Sequence, residues 1–234
     1  MTNDLKQAII LAGGRGERLR PLTTDRPKPM IEVFERPLLA YTMQWLQQSN
    51  IERVIISCGY RHEVISGYFG DGDQFGLQIL YSVEDKPLGR GGGIKLAGTM
   101  LKQDGSPILV INGDAVTDLS VRLLTDAHAT SAATATAVVV PLRSPFGIAD
   151  ISENGLITQF REKPELPYWI NAGIYLFNPQ VLVRFPDQGD HEETLLPMLA
   201  KEGALNAFQF RGFWKAIDTA KDLAELKEQL TRLQ

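Results

Sequence analysis

Three glycines within four residues, Gly13, Gly14 and Gly16, follow the apolar run Gln7-Ala8-Ile9-Ile10-Leu11. Glycine lets a backbone turn sharply, and successive bare N–H groups make a concavity that holds an anion. Arg15, Arg18, Arg20, Arg26 and Lys28 crowd the same stretch, in a chain whose formal net charge is −4. Cations on a glycine loop call for a polyanionic ligand. A second centre is Asp114, which follows the apolar run Pro107-Ile108-Leu109-Val110-Ile111 through Asn112-Gly113. An aspartate at a strand's end emerges at the carboxyl edge of a sheet, where ligands collect in open α/β folds. A hard carboxylate there suits Mg²⁺, which takes one or two carboxylates and completes its shell with phosphate oxygens. The bland alternative is a helix cap.

The opening loop excludes two phosphate-binding schemes. It lacks the Gly-Lys-Ser/Thr ending of a P-loop. Gly13 and Gly16 do not complete a Gly-x-Gly-x-x-Gly spacing, and no acidic residue ends the second strand to grip a ribose. A strand-to-helix loop that holds a nucleoside triphosphate is left, with Arg15 and Lys28 reaching its phosphates. Downstream, Leu88 to Gly93 reads as a second glycine loop, with Arg90 stacking on a base, meeting a triphosphate or pointing to solvent. Glu84 precedes it; a carboxylate accepts from amino and imino groups, and guanine presents both on one edge. His62, His128 and His191 lack metal-ligand spacing, and Cys58 sits in a buried-looking strand with no nucleophile motif around it.

The elements that must position these residues alternate through the first half. Strands are predicted at Gln7–Leu11, Arg53–Cys58, Leu77–Val83 and Pro107–Ile111. Helices are predicted at Pro37–Ser49, His62–Phe69 and Ile94–Lys102, with another after a cap at Ser120. That alternation implies a mostly parallel sheet covered by helices. From Ala135 the texture changes to short strands at Ala135–Leu142, Phe146–Ser152, Leu156–Arg161 and Trp169–Phe177, the pattern of an antiparallel extension. Glu192–Lys201 and Thr219–Leu233 return to helical spacing around a strand at Ala207–Phe210. With no repeat or linker, the 234 residues read as one α/β domain.

Composition narrows the classes further. The chain is 44% hydrophobic and 22% charged, and its acidic balance argues against a nucleic-acid binder. No apolar run approaches the roughly 20 residues that span a bilayer, and the N-terminus lacks a signal-peptide pattern. A single cysteine, Cys58, permits no intrachain disulfide, which fits a reducing compartment and a cytoplasmic location.

Together with its later motifs, the chain resembles the sugar-1-phosphate nucleotidyltransferases, the enzymes that make nucleotide-diphosphate sugars. Those motifs are Leu11 to Met30 (LAGGRGERLRPLTTDRPKPM), Asn112-Gly113-Asp114, Phe146-Gly147, Arg161-Glu162-Lys163-Pro164, Asn171-Ala172-Gly173 and Trp214 to Thr219. They fall in the family's order over nearly the whole chain.

The resemblance implies a Rossmann-like mixed, mostly parallel sheet sandwiched by helices, with residues 1–134 mainly binding the nucleoside triphosphate and 135–234 mainly the sugar phosphate. It implies that Leu11, Ala12, Gly13, Gly14, Arg15, Gly16, Lys28, Glu84, Gly89 and Asn112 meet the nucleotide, with Arg15 on the leaving phosphates and Lys28 on the α-phosphate. Gly147, Glu162, Lys163 and Asn171 would meet the sugar phosphate, and Asp114 would hold Mg²⁺. Many relatives place a second metal carboxylate two residues after the tryptophan, where this chain has Ala216. Asp218 matches the version resembling sugar cytidylyltransferases and is the expected second ligand; its alternative role is to cap the last helix. Guanine is the expected base and mannose- or heptose-1-phosphate the expected acceptor, with cytidylyl, thymidylyl and uridylyl transfer as alternatives. A non-catalytic nucleotide-sugar sensor is a rival class. So is a glycosyltransferase, whose Asp-x-Asp motif is matched only by Asp71-Gly72-Asp73 in a turn. The family is often dimeric or tetrameric, so a homo-oligomer is an expectation too.

Overall fold

The computed structural model describes residues 5–233. Its first strand, β1 (Gln7–Leu11), is buried at all but its last residue, as a central strand covered on both faces must be. After the glycine loop come two short 3-10 turns, Glu17–Leu19 and Lys28–Met30, rather than a helix. A two-stranded ribbon, β2 (Glu32–Val33) and β3 (Arg36–Pro37), leads into α1 (Leu38–Gln48). That helix buries Leu39, Met43 and Leu46, the three-and-four spacing of one apolar face.

β4 (Arg53–Cys58), α2 (His62–Phe69) and β5 (Gln78–Val83) follow as the alternating pattern requires. Next is α3 (Gly89–Gly98), where the structure corrects the sequence reading. Gly89 to Gly93, expected as a loop, are the first turns of the helix, which ends four residues before the predicted Lys102. Packing overrides propensity here. The Gly189 carbonyl accepts from the N–H groups of Gly91 and Gly92 at 2.9 and 3.3 Å. A Cβ at Gly91 would stand 2.8 Å from that carbonyl oxygen and one at Gly92 2.6 Å from the Asp187 oxygen. The glycines let a second segment lie directly on the helix.

β6 (Ile108–Asn112) and β7 (Ala115–Thr117) flank Asp114, and α4 (Val121–Thr130) begins at Ser120, whose side chain accepts from the Leu123 N–H. The second half supplies β8 (Ala135–Arg143), β9 (Ile148–Ile151), β10 (Ile157–Arg161) and the long β11 (Glu165–Phe177). It closes with α5 (Leu195–Lys201), β12 (Leu205–Gln209), β13 (Trp214–Ala216) and α6 (Ala220–Leu233).

Seven of these strands form one sheet in the order β12-β8-β11-β6-β1-β4-β5. β1 runs parallel to β4 and β6, β4 parallel to β5, and β12 parallel to β8; β11 alone is antiparallel to both neighbours. The fold is therefore the expected Rossmann-like, mostly parallel sheet. Its antiparallel extension consists of β11 and the separate ribbon β9–β10, and strands of both halves share one sheet. Another ribbon, β7 with β13, was not legible in the sequence. It pairs Ala115 with Ala216, and the Ile217 N–H donates to the Asp114 carbonyl at 3.1 Å. This pairing carries the late motif to the end of β6. Core side chains pack on both faces of the sheet, Ile10, Ile56 and Ile111 on one and Ile9, Ile55 and Val110 on the other. No described helix is long and apolar enough to cross a membrane.

Candidate active site

Two cavities open along the carboxyl ends of β1, β4 and β6. The first, about 400 Å³, is walled by Leu11, Ala12, Gly13, Gly14, Ser57, Glu84 and Gly89, among others. The second, about 600 Å³, is walled by Gly16, Arg18, Asn171, Gly173, Glu192 and Asp218, among others. Gly14, Lys28, Arg90, Asn112 and Asp114 line both, so they mark where the two meet.

The loop after β1 presents the donors its glycines promise. The Ala12 N–H is taken by the Ser57 carbonyl at 2.8 Å. Among the described residues, no protein acceptor meets the next four N–H groups, Gly13 to Gly16. Gly16 has φ +62° and lies against Lys28, where a Cβ would stand 2.9 Å from the Lys28 Cβ. The Thr23 hydroxyl donates to the Gly16 carbonyl at 2.8 Å and fixes the loop's return. A row of four unpaired N–H groups beside a lysine is an anion cradle.

At the junction, Lys28 Nζ donates to Asp114 Oδ2 at 2.5 Å and to Asp218 Oδ1 at 2.7 Å. The Lys28 side chain is only 11% exposed, while those of Asp114 and Asp218 are 28% and 43% exposed. Arg18 Nη2 reaches the same Asp218 oxygen at 2.8 Å. The helix-cap alternative for Asp218 fails, because α6 is capped by its neighbours. Thr219 Oγ1 accepts from the Asp222 N–H, and Asp222 Oδ2 accepts from the Thr219 N–H and hydroxyl, a reciprocal capping box. Burial works against the Asp222 carboxylate, but hydrogen bonds from Thr219 and Lys215 hold its pKa below the usual value. The Asp218 carboxylate is left to pair with Arg18 and with the Lys28 ammonium that it shares with Asp114.

This donor set fits a divalent ion. Two carboxylates from distant parts of the chain already converge on one cationic atom. Among the described residues no group of three or more His, Cys, Asp or Glu could hold a metal. A metal here would thus take two protein carboxylates and complete its shell with phosphate and water oxygens, the habit of Mg²⁺.

Glu84 lies on the wall of the first cavity, its Oε2 accepting from the Leu88 N–H at 3.0 Å and its Oε1 from the Ser57 hydroxyl at 3.3 Å. Cys58, at the end of β4, is fully buried, and burial and then the Glu84 charge push its thiol up to about 12. It is inert at neutral pH. Arg90 does not point freely to solvent: it reaches Asp190 and Glu192, each at 2.9 Å. Asn171 donates to the Tyr175 hydroxyl at 2.5 Å and accepts from the Gly173 N–H at 3.0 Å.

Gly173 was not singled out from the sequence, although its motif was quoted. At φ +69° its missing Cβ leaves room for the Asn112 amide. Asp190 and Glu192 were missed because their partner Arg90 lies about a hundred residues away, and Tyr175 because it reads as an apolar strand residue; Arg18 was named only as one of the loop's cations. Four expected residues stand off both cavity walls. Arg15 leans over the Tyr60 ring, 5.9 Å from its centroid. Gly147, Glu162 and Lys163 belong to the β9–β10 region, where Gly147 packs against Phe160 and Glu162.

An anion cradle after β1 and paired carboxylates at the end of β6 define a nucleotide-handling α/β protein. The chain belongs to the nucleotidyl transferase family, whose model matches residues 7–232. It is 35% identical over 222 residues to the mannose-1-phosphate guanylyltransferase catalytic subunit beta of Drosophila melanogaster, covering 92% of this chain and 60% of that one. It is likewise 35% identical over 225 residues to the mannose-1-phosphate guanyltransferase of Saccharomyces cerevisiae, with 92% and 62% covered. The chain thus spans about 60% of the length of the curated relatives it matches. Among solved structures, HddC from Yersinia pseudotuberculosis superposes with a TM-score of 0.77 at 26% identity, over 97% of this chain and 100% of that one.

Proposed function

We propose that this chain transfers a nucleotidyl group from a nucleoside triphosphate to a sugar 1-phosphate, releasing pyrophosphate, with Mg²⁺ as cofactor. The observation that carries this reading is the Asp114–Lys28–Asp218 cluster at the meeting of two cavities. The nucleotide takes the first cavity, its phosphates on the free N–H groups of Gly13 to Gly16. The sugar phosphate takes the second cavity beside Asn171. Residues 1–134 thus serve chiefly the nucleotide and 135–234 chiefly the sugar phosphate.

A phosphate oxygen of the sugar 1-phosphate bonds to the α-phosphorus, while the bond from that phosphorus to the bridging oxygen breaks. Pyrophosphate leaves with the electron pair. No protein nucleophile is needed, so catalysis rests on positioning and charge. Lys28 supplies charge at the α-phosphate and Arg15, at the loop's outer edge, at the leaving phosphates. Lys163 and Glu162 approach the sugar phosphate from the β9–β10 side, with Gly147 giving the close contact. Mg²⁺, when held by Asp114 and Asp218, neutralises charge on the phosphate oxygens.

Guanine is the base we assign. Glu84 on the first cavity wall is a hydrogen-bond acceptor, and the two relatives above are mannose-1-phosphate guanylyltransferases. A mannose- or heptose-1-phosphate is the matching acceptor. The sensor alternative rested on Ala216; a carboxylate of Asp218 on the same Lys28 ammonium as Asp114 supports the enzyme reading over it. The test is pyrophosphate release across four or five nucleoside triphosphates and common sugar 1-phosphates. GTP with mannose- or heptose-1-phosphate should turn over fastest and stop when Mg²⁺ is chelated; no release from any pair refutes the reading. Cytoplasmic location and assembly as a homo-oligomer belong to the same proposal, read by cell fractionation and light scattering.

A further inference from the structure

Arg90 has no part in the reaction above, yet it stands where the two cavities meet. Among the described residues, three cationic side chains line those cavities: Lys28 and Arg90 line both, and Arg18 lines the second. Lys28 and Arg18 are turned to the carboxylates at the junction, Lys28 to Asp114 and Asp218 and Arg18 to Asp218. Arg90 is held by a different pair, Asp190 and Glu192. On the wall of the second cavity, Asn171 and Trp214 each give a donor to the protein itself, to the Tyr175 hydroxyl and the Ala172 carbonyl. A guanidinium on that wall is a further source of donors for a ligand.

The fold builds this placement. Gly91 and Gly92 let residues 187–189 lie on the start of α3, and the Gly189 N–H donates to the Leu88 carbonyl at 2.7 Å. That contact delivers the two residues that hold the guanidinium. One Asp190 carboxylate oxygen accepts from the Arg90 backbone N–H at 2.8 Å and the other from Nη2 at 2.9 Å. These bonds keep the Asp190 carboxyl below its usual pKa. Arg90 Nη1 stands 2.9 Å from the enclosed Glu192 carboxylate. A guanidinium carries about five N–H donors in a rigid fork, and these two partners take one each. The Arg90 side chain is still 47% exposed, so the remaining donors are open to the cavities it lines.

We propose that Arg90 is a sugar-recognition residue, which donates its free N–H groups to ring hydroxyl oxygens of the sugar 1-phosphate seated in the second cavity. Asp190 and Glu192 orient the guanidinium and answer its charge, which suits it to a neutral hydroxyl rather than to an anionic group. The inference rests on the second cavity being the sugar site. A site that gives hydrogen bonds to hydroxyls also rejects analogues that lack them, because its donors are then stranded.

The experiment measures coupling between Arg90 and each sugar hydroxyl. Mannose 1-phosphate and each of its monodeoxy analogues are compared in the wild type, Arg90→Met and Arg90→Lys. Pyrophosphate release with GTP gives kcat/KM, and calorimetry beside an α,β-methylene GTP that cannot react gives binding without turnover. In the wild type, loss of a hydroxyl that Arg90 meets should lower kcat/KM about tenfold to a hundredfold, the range for a hydrogen bond to a charged group. Arg90→Met should weaken mannose 1-phosphate by a similar factor, and the same deoxy analogue should then lose no more than about twofold further. The KM for GTP should stay within about twofold. Arg90→Lys keeps a cation beside Asp190 and Glu192 without the planar fork, so it should keep the fold and lose most of the coupling. An arginine that merely fastens residues 190–192 to α3 would weaken every analogue by the same factor; that outcome overturns the inference in whichever variant folds. So does a wild type that binds mannose 1-phosphate no better than its deoxy analogues. A wild type that discriminates in binding but releases no pyrophosphate overturns the proposed function instead, and the binding coupling still decides on Arg90.

Discussion

Replacing Lys28 by methionine removes the cation that stands between Asp114 and Asp218 and leaves a stem of similar length. Each carboxylate oxygen lies within 2.7 Å of Nζ, so the two oxygens are no more than about 5 Å apart. At an effective dielectric of about 20, two unit charges at that separation repel by about 3 kcal/mol. The half-exposed Asp218 lets water and salt screen that repulsion, which brings the cost to about 1–2 kcal/mol. For a chain of this size that is a fall in Tm of about 2–8 °C. Mg²⁺ should restore the loss, because the vacated carboxylates become a metal site in the folded state alone. At 100 times its Kd the ion contributes about 2.7 kcal/mol. The assay is thermal unfolding of both proteins with and without Mg²⁺, in the absence of nucleotide. The wild type should respond weakly, since the ion must displace an ammonium that is already paired. A Lys28→Met protein that melts at the wild-type temperature, or a wild type that gains as much from Mg²⁺ as the variant, refutes this account.

Gly173→Ala places a Cβ at φ +69° against the Asn112 amide and should cost at least about 1–2 kcal/mol, with raised KM for both substrates; unchanged Tm and KM would contradict it. Cys58 should react with a thiol reagent at pH 8 only on unfolding, because its thiol is fully buried and titrates near 12, so rapid labelling of the native protein would count against the placement of β4. Asp222→Asn removes an anionic partner of the α6 cap and should destabilise by about 1 kcal/mol at neutral pH. Because the folded pKa of Asp222 lies below 3.8, that difference is present above this value and is lost as pH falls through the folded pKa. Urea melts between pH 7 and pH 3 would read the convergence, and a constant gap would break the linkage.

The sheet was legible because β1, β4 and β6 are short apolar runs of strand length, set between longer segments of helical spacing. Asp114 was legible for the same reason, as the polar residue that ends such a run. The glycine-rich start of α3 was misread because its glycines serve the close approach of residues 187–189, a contact about a hundred residues away in the chain. Local propensity cannot report such a contact. The pairing of β7 with β13 was hidden in three-residue strands, too short to show alternation. Lys28 and Asp218 were each chosen from the sequence, but 190 residues separate them, and only the ribbon that carries Asp218 back to β6 makes them neighbours. Glu192 gave no signal, since a charged residue at the edge of a predicted helix ordinarily belongs to its solvated face.

The backbone around Lys28 sets how fast the site can rearrange. Pro27 and Pro29 flank it, the Met30 N–H donates to the Pro27 carbonyl at 2.9 Å, and the Ile31 N–H donates to the Lys28 carbonyl at 3.1 Å. With the main chain pinned on both sides, the ammonium leaves the carboxylates by rotating side-chain bonds. Such rotations belong to the picosecond-to-nanosecond range, although ion pairing slows them, whereas loop and lid closures take microseconds to milliseconds. Departure of the ammonium is therefore fast, and under the proposed function the pace of loading a divalent ion at Asp114 and Asp218 is set by the ion's reluctance to shed water and not by the backbone that carries Lys28.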